Sequence, residues 1–297
     1  MSGRVLVVGA GGRLGAAVVE AFADRDVIAH THASLDVTDA ASVGQAVEQG
    51  APDVVINCAA FNQVDEAEDR PTDAFAINAF AVRTLARAAE TAGATLIHYG
   101  SDFVFDGHAT DPYDEEALPS PASAYATSKL LGDWFALDAP RGFVLRVESL
   151  FGAPKGWTGR RVSLDVIIEG LEQERPVRVF TDRVVSPTYV EDVARATKYL
   201  IDGRAPPGLY HCVNSGSATW HDVAEEAARL LGVTPHLQAI TMEQAAFKAS
   251  RPRFCALANR KLAAAGFAMP TWQDALRRWI AVRKGSVRHD TMDRVHG

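Results

Sequence analysis

The run Tyr125-Ala126-Thr127-Ser128-Lys129 leads into Leu130-Leu131-Gly132-Asp133-Trp134-Phe135. Read as one helix, it puts a phenol and an ammonium on the same face, one turn apart. A phenol with its ordinary pKa of ~10 gives up its proton reluctantly at neutral pH, and a neighbouring ammonium favours the phenolate. Such a pair can donate or accept a proton at a carbonyl/alcohol couple. The same spacing also occurs as a plain surface pair worth ~0.2–0.5 kcal/mol, so the rest of the chain must decide between the two.

The elements that would position the pair begin at the N-terminus. Val5-Leu6-Val7-Val8 is a continuous apolar run, as expected of a buried parallel strand. Gly9-Ala10-Gly11-Gly12-Arg13-Leu14-Gly15 follows, and then a helical composition from Ala16 to Ala23. Gly9, Gly12 and Gly15 fit G-x-x-G-x-x-G between a strand and a helix. That context lets backbone approach a pyrophosphate and points amide N–H groups at it. The second strand candidate, Asp26 to His32, ends in His30-Thr31-His32 with no acid to hold a ribose 2′-hydroxyl. A 2′-phosphate would meet no repulsion there, with Arg13 or a histidine within reach, so NADP(H) is the expected cofactor and NAD(H) the alternative. In Leu35-Asp36-Val37-Thr38-Asp39, Asp36 and Val37 are suited to framing an adenine, and Asp39 to capping a helix.

The strand Pro52 to Ala60 ends in small residues, Ala59 and Ala60, that let a flat ligand approach. A long amphipathic helix is expected over 73–92, with Asn78 in its middle, where an amide is mildly unfavourable and suggests a polar role. Thr95-Leu96-Ile97-His98-Tyr99 runs into Gly100-Ser101-Asp102-Phe103. That places Ser101 and Asp102 at the carboxyl end of a strand, the edge where open α/β sheets bind ligands. Repeated strand–helix alternation through the first half predicts a parallel, doubly wound sheet of the Rossmann type.

Composition narrows the alternatives. The 297 residues are 47% hydrophobic and 23% charged, ordinary for a globular chain able to bury a large core. A net charge of -7 excludes the basic footprint of a nucleic-acid binder. Cys58, Cys212 and Cys255 are widely spaced, with no metal-ligand spacing, so reduced thiols in a cytoplasm and no metal are expected. No segment approaches the ~18 apolar residues of a membrane span, and the first apolar run is too short for a secretory leader.

Together these segments resemble the extended short-chain dehydrogenases/reductases, and more narrowly the dTDP-4-dehydrorhamnose reductase group. The resemblance rests on the glycine loop, Asn57-Cys58-Ala59-Ala60-Phe61 with Val64-Asp65, Ile77-Asn78-Ala79, and Ser101-Asp102-Phe103-Val104-Phe105-Asp106-Gly107. Tyr125-x-x-x-Lys129, Ser186-Pro187-Thr188, Gly208-Leu209-Tyr210-His211 and the Arg251-Pro252 to Leu262 stretch extend it nearly end to end. It implies that Gly12, Arg13 and Leu14 lie along the pyrophosphate, Asp36 and Val37 frame the adenine, and Ala59, Ala60 and Phe61 line the nicotinamide side, with Asn78 beside them. It further implies a catalytic set of Ser101, Tyr125 and Lys129. Tyr125 would be the proton donor, and Lys129 would hold the ribose and depress the Tyr125 pKa. Ser101, Asp102 and Phe103 would face the sugar. The family's next strand usually reads Arg-Thr-Ser-Trp, but here it reads Arg146-Val147-Glu148-Ser149, so Ser149 replaces an aromatic platform and a carboxylate stands beside it. Trp157 is a candidate to take over the stacking, and Arg160 and Arg161 to grip a diphosphate.

The expected activity is therefore reduction of the 4-keto group of a nucleotide-linked 6-deoxy sugar. A sugar-nucleotide epimerase and a non-catalytic NADP/sugar-nucleotide-binding regulatory subunit are the competing readings. The expected division is a dinucleotide domain over 1–151 with a returning segment at about 181–203, and a smaller C-terminal α/β substrate domain over 152–297. A small nucleotide sugar is the expected partner, with a homodimer as one quaternary option and neither nucleic acid nor membrane. The polar tail 284–297 is assigned no role.

Overall fold

The computed structural model describes residues 3–203 and 205–293, with side chains described through Lys284. Its centre is strand β1 (Arg4–Val8). Val5 and Val7 face one way, against Leu14, Val18 and Val193; Leu6 and Val8 face the other, against Val43, Val47, Val82 and Leu85. Both faces are covered, which is why the run is apolar without alternation. Around it stand β2 (Asp26–His30), β3 (Val54–Asn57), β4 (Thr95–Ser101) and β5 (Gly142–Val147). The six-stranded sheet runs Gly208–His211, β5, β4, β3, β1, β2, and every pairing is parallel. The register aligns Val8 with His30 and Asn57, and Asn57 with His98, so the strands end together at one carboxyl edge. The strand order reverses between β1 and β3, which puts a crevice beside the glycine loop.

The expected helix over 73–92 is interrupted. Pro71–Phe75 is α-helical, Ala76–Phe80 winds as a π turn, and Ala81–Thr91 resumes the α-helix. The wider turn falls on Asn78, whose amide finds its partners away from its own helix. Thr219 caps the helix Trp220–Leu231 by exchanging hydrogen bonds with Asp222.

Beyond residue 150 the chain builds short two-stranded pieces, Val177–Phe180 with Leu237–Ile240 and Val184–Val185 with Ala218–Thr219. The helix Val190–Asp202 lies on the helix Arg13–Ala21, where Lys198 Nζ donates to Ala21 O (3.1 Å). The last helix, Trp272–Asp293, enters the tail; its side chains from 285 and residues 294–297 lie outside the described residues. The three cysteines are free. Among the described residues no helix is long and apolar enough to cross a membrane.

Candidate active site

The glycines meet steric demands that other residues would not. Gly9 adopts φ +78°, and a Cβ there would lie 2.5 Å from the Ala59 amide nitrogen. A Cβ on Gly15 would lie 2.2 Å from Gly9 O. β1, the loop and the β3 end are thus held at backbone contact. Gly12 caps the helix Arg13–Ala21, which has no acid in its first turn. Its N-terminal amides face the sheet's carboxyl edge without a competing carboxylate, a cradle that fits a pyrophosphate.

The Arg13 guanidinium is committed elsewhere. It donates to Gly152 O (2.6 Å), Arg160 O (3.0 Å) and Asp165 Oδ2 (2.7 Å). Trp157 stacks on it at 4.6 Å and donates to Gly11 O (3.1 Å). The segment from Gly152 to Asp165 is therefore strapped across the glycine loop. Arg161 pairs with Glu169 at the surface. Beyond β2, Asp36 accepts from Thr38 N (2.9 Å) and Thr38 Oγ1 (2.7 Å), Val37 is buried on the Leu6 and Val8 side of the sheet, and Asp39 caps the helix Ala40–Gly50. His30 ends β2 beside Ser34 (3.4 Å).

Ser101, Tyr125 and Lys129 are all buried and converge at the end of β4. Ser123 caps the helix Ala124–Leu137 and sets Tyr125 in its first turn. Phe103, in the 3₁₀ turn after Ser101, meets the Tyr125 ring edge-on at 5.3 Å. Lys129 Nζ donates to Tyr99 O on β4 (2.6 Å). Burial lowers its pKa to about 8, while the charge of Asp133 one turn on opposes the shift. Burial likewise moves the Tyr125 phenol upward. The Ser101 hydroxyl pulls it down, and the charges of Asp102 and Asp133 push it up. The sequence expectation is a depressed phenol; in the structure burial outweighs the pull of Ser101 and the phenol is raised. Asp133 is anchored by Arg146 Nε (3.0 Å), and Gly100 makes room for both, since a Cβ there would lie 2.7 Å from Asp133 Oδ1.

Asn78 is fully buried and spent within the protein. Its Oδ1 accepts from Phe61 N (2.8 Å), and its Nδ2 donates to Phe61 O (3.1 Å) and Ser128 Oγ (3.0 Å). Ser128 in turn donates to Tyr125 O (2.7 Å). Asn78 therefore ties the Ala59-Ala60-Phe61 segment to the Tyr125 helix. Ala59 N is held by Asn57 Oδ1 (3.1 Å).

The tertiary fold adds a cluster that spacing did not reveal. Asp102, Glu148 and Cys255 place a carboxylate oxygen, a carboxylate oxygen and a thiol within 4.8 Å of one another, all buried. The Arg183 guanidinium stands among them, acting on both acids. Ser101 Oγ donates to Asp102 Oδ1 (3.1 Å), and Glu148 Oε2 accepts from Ser186 N (2.7 Å). Asp102 Oδ2 and Glu148 Oε1 have no hydrogen-bond partner. Burial raises the Asp102 carboxyl to about 6 against the pull of Arg183; burial and the Asp102 charge raise Glu148 further from its usual range. Ser149 follows with φ +43°, unusual for a residue with a Cβ, and its carbonyl accepts from Thr188 N (3.2 Å). Only Glu148, flagged as an added carboxylate, hinted at this cluster.

A parallel doubly wound sheet with a glycine loop after its first strand, and a serine, tyrosine and lysine converging at its carboxyl edge, defines an NAD(P)-dependent oxidoreductase of the short-chain dehydrogenase/reductase type. Residues 3–284 match the RmlD substrate binding domain, and the chain belongs to that family, the dTDP-4-dehydrorhamnose reductases of the extended short-chain class. It is 35% identical to the dTDP-4-dehydrorhamnose reductase of Streptomyces griseus over 288 residues, covering 94% of this chain and 91% of that one. With the dTDP-4-keto-6-deoxy-D-glucose reductase of Streptomyces niveus it shares 32% over 283 residues, 93% and 96% of the two chains. The crystal structure of dTDP-4-dehydrorhamnose reductase from Bacillus anthracis in complex with NADP matches with a TM-score of 0.88 at 29% identity, over 95% of this chain and 99% of that one.

Proposed function

We propose that this protein reduces the 4-keto group of a nucleotide-linked 6-deoxy sugar, with NADPH as the preferred reductant. The observation that carries the reading is the convergence of Ser101, Tyr125 and Lys129 beside the glycine cradle in a chain of this family. Bound dihydronicotinamide supplies the hydride. Tyr125, held protonated by burial, gives its proton to the oxygen of the reduced carbon. When Asp102 is protonated and donates to Ser101 Oγ across their 3.1 Å contact, the Ser101 hydroxyl is free to donate a hydrogen bond to the same oxygen. Lys129 has donors left beyond its bond to Tyr99 O and directs them at the nicotinamide ribose. Gly9, Gly12, Gly15 and Leu14 hold the pyrophosphate, Asp36 and Val37 the adenine side, and Ala59, Ala60 and Phe61 the nicotinamide side. Phe103, Asp102 and Ser149 border the sugar. The acid-free end of β2 at His30-Thr31-His32 supports NADPH over NADH.

The catalytic half lies in the sheet domain, and the elements after residue 151 cover the sugar. A cytoplasmic site of action and a homodimer complete the reading, the latter supported by exposed Phe80, Trp134 and Leu137. The test is NADPH oxidation against a panel of 4-keto-6-deoxy sugar nucleotides. Stoichiometric consumption is expected, whereas an epimerase would recycle its cofactor and a binding subunit would oxidise none. In Tyr125→Phe, kcat should fall by ~10²–10⁴-fold, the contribution of a positioned proton donor. Near-full activity in that variant would remove the assignment.

A further inference from the structure

Each reduction takes one proton from Tyr125, whose phenol is buried, and something must replace it. We infer that Asp102 and Glu148 share one proton and return it to Tyr125 through the Ser101 hydroxyl. The inference rests on the proposed role of Tyr125 and adds the group that recharges it.

The geometry supplies a continuous route. The Ser101 hydroxyl bonds Asp102 Oδ1 at 3.1 Å, and Ser101 lies at the end of β4 beside Phe103, whose ring meets the Tyr125 ring at 5.3 Å, so Ser101 stands between the acid and the phenol. A hydroxyl both donates and accepts, and its hydrogen rotates to suit. With Asp102 protonated, the direction reverses: the carboxylic acid donates to Ser101, and Ser101 donates to the tyrosine oxygen. Glu148 stands behind Asp102, within the same 4.8 Å cluster.

Charge balance says that the pair holds a proton. Two carboxylates at this separation, both more than nine-tenths buried, face the one guanidinium of Arg183. One positive charge compensates one carboxylate. The second, out of water and beside a like charge, is stable only as the acid. The unpartnered oxygens Asp102 Oδ2 and Glu148 Oε1 leave the pair room to hold a proton, and it enters the relay from Asp102 Oδ1, the oxygen that faces Ser101. The other groups facing the pair are the Cys255 thiol, which donates to Pro252 O (3.3 Å), and the Ser186 amide, which holds Glu148 Oε2. Burial raises the Cys255 thiol, so it adds no charge at neutral pH. The raised Asp102 and Glu148 carboxyls agree with this balance, and the pair titrates as a unit.

In the step itself, the Tyr125 O–H bond breaks as the product hydroxyl forms. The phenolate takes the Ser101 proton, and the serine oxygen takes the proton of Asp102. The carboxylate pair is then refilled from solvent. No electron pair moves beyond these O–H bonds, and the proton gained equals the one consumed by carbonyl reduction.

The experiment compares wild type with Glu148→Gln, which keeps an oxygen acceptor for Ser186 N. Two rates are read: nicotinamide oxidation in a single turnover, which uses the proton already on Tyr125, and steady-state kcat across pH 5–9. The expected result is an unchanged single turnover with steady-state kcat lowered roughly tenfold near pH 8, less than a direct donor contributes. The falling limb of kcat against pH should also move to lower pH, because Asp102 then faces Arg183 alone. Wild type supplies the second measurement if Glu148→Gln folds poorly: near pH 9, where the pair loses its proton, the first turnover should outpace the steady state, and equal rates there count against the relay. A wild-type pH profile in the variant, or an equal slowing of both rates, overturns the relay. Tyr125→Phe run in parallel separates the two failures. Activity in that variant discards the donor assignment and the relay with it; inactivity there beside a wild-type profile in Glu148→Gln discards the relay alone.

Discussion

Replacing Asn78 by alanine tests whether the amide braces the site or touches the cofactor. The side chain is fully buried and makes three hydrogen bonds, two of them to the backbone of Phe61. Asn78→Ala leaves the Phe61 N–H and C=O without partners in a dry region, and each such group costs ~1–3 kcal/mol. Ser128 keeps its own donation to Tyr125 O, so it adds little. Partial relaxation, or a water entering the void, recovers some of the loss, which leaves about 3 kcal/mol. For a chain of this size that corresponds to a Tm lower by about 5–8 °C. The freed Phe61 segment and Tyr125 helix should lower kcat, with NADPH affinity following only through that displacement. Circular-dichroism melting, nicotinamide fluorescence titration and steady-state kinetics read the three quantities. A variant with wild-type Tm but weakened NADPH binding would refute the reasoning, because the amide would then be a ligand rather than a brace.

Four further expectations follow from the same structure. In Gly132→Ala the new Cβ would lie 2.0 Å from Asn78 O, so the Tyr125 helix must shift; a loss of ~3 kcal/mol or more is expected by melting, with activity lost too. Gly44→Ala, at a helical position with nothing within 4 Å, should instead stabilise by ~0.5–1 kcal/mol. Arg13→Ala leaves Asp165 mostly buried without its cation. Because Asp165 still accepts from Val162 N (3.0 Å), the loss should fall near ~3 kcal/mol, the low end for a broken buried pair, with faster proteolysis of the strap over the glycine loop. His211 is held by burial at about 3, well below the usual imidazole range, and His98 is also lowered. The unfolded chain therefore takes up protons first, and their contribution is complete above about pH 6.5 and lost as pH falls toward about 3. Asp102 and Glu148 act with the opposite sign. Their raised carboxyls favour the folded state below the ordinary carboxylate value, and that contribution fades as pH rises through about 6 and beyond. Tm measured from pH 4 to 9 should show acid loss that is flattened in His211→Gln; an unchanged acid limb in that variant would count against it.

The sequence alone determined whatever depends on short-range sterics and periodicity. A buried strand covered on both faces must be apolar throughout, as Val5–Val8 is. A backbone that passes within 2.5 Å of a would-be Cβ must be glycine, as at Gly9 and Gly15. The Tyr125–Lys129 spacing needs only one helical turn, and Ser101 needs only to end a strand. Asn78 was legible as an oddity in a helix but not as a brace. Its partners Phe61 and Ser128 lie 17 and 50 residues away, and the π turn that aims it has no local signature. Only the tertiary structure decided which charges meet. Arg13 pairs its guanidinium with Asp165 across 152 residues, a partner that its place in the glycine loop did not announce. Asp102, Glu148, Arg183 and Cys255 come from four separate segments, and no spacing rule joins them. Burial also reversed the expected direction of the Tyr125 shift. A helical neighbour can be read from residue order, but the exclusion of water that governs a buried acid is a property of the packed whole.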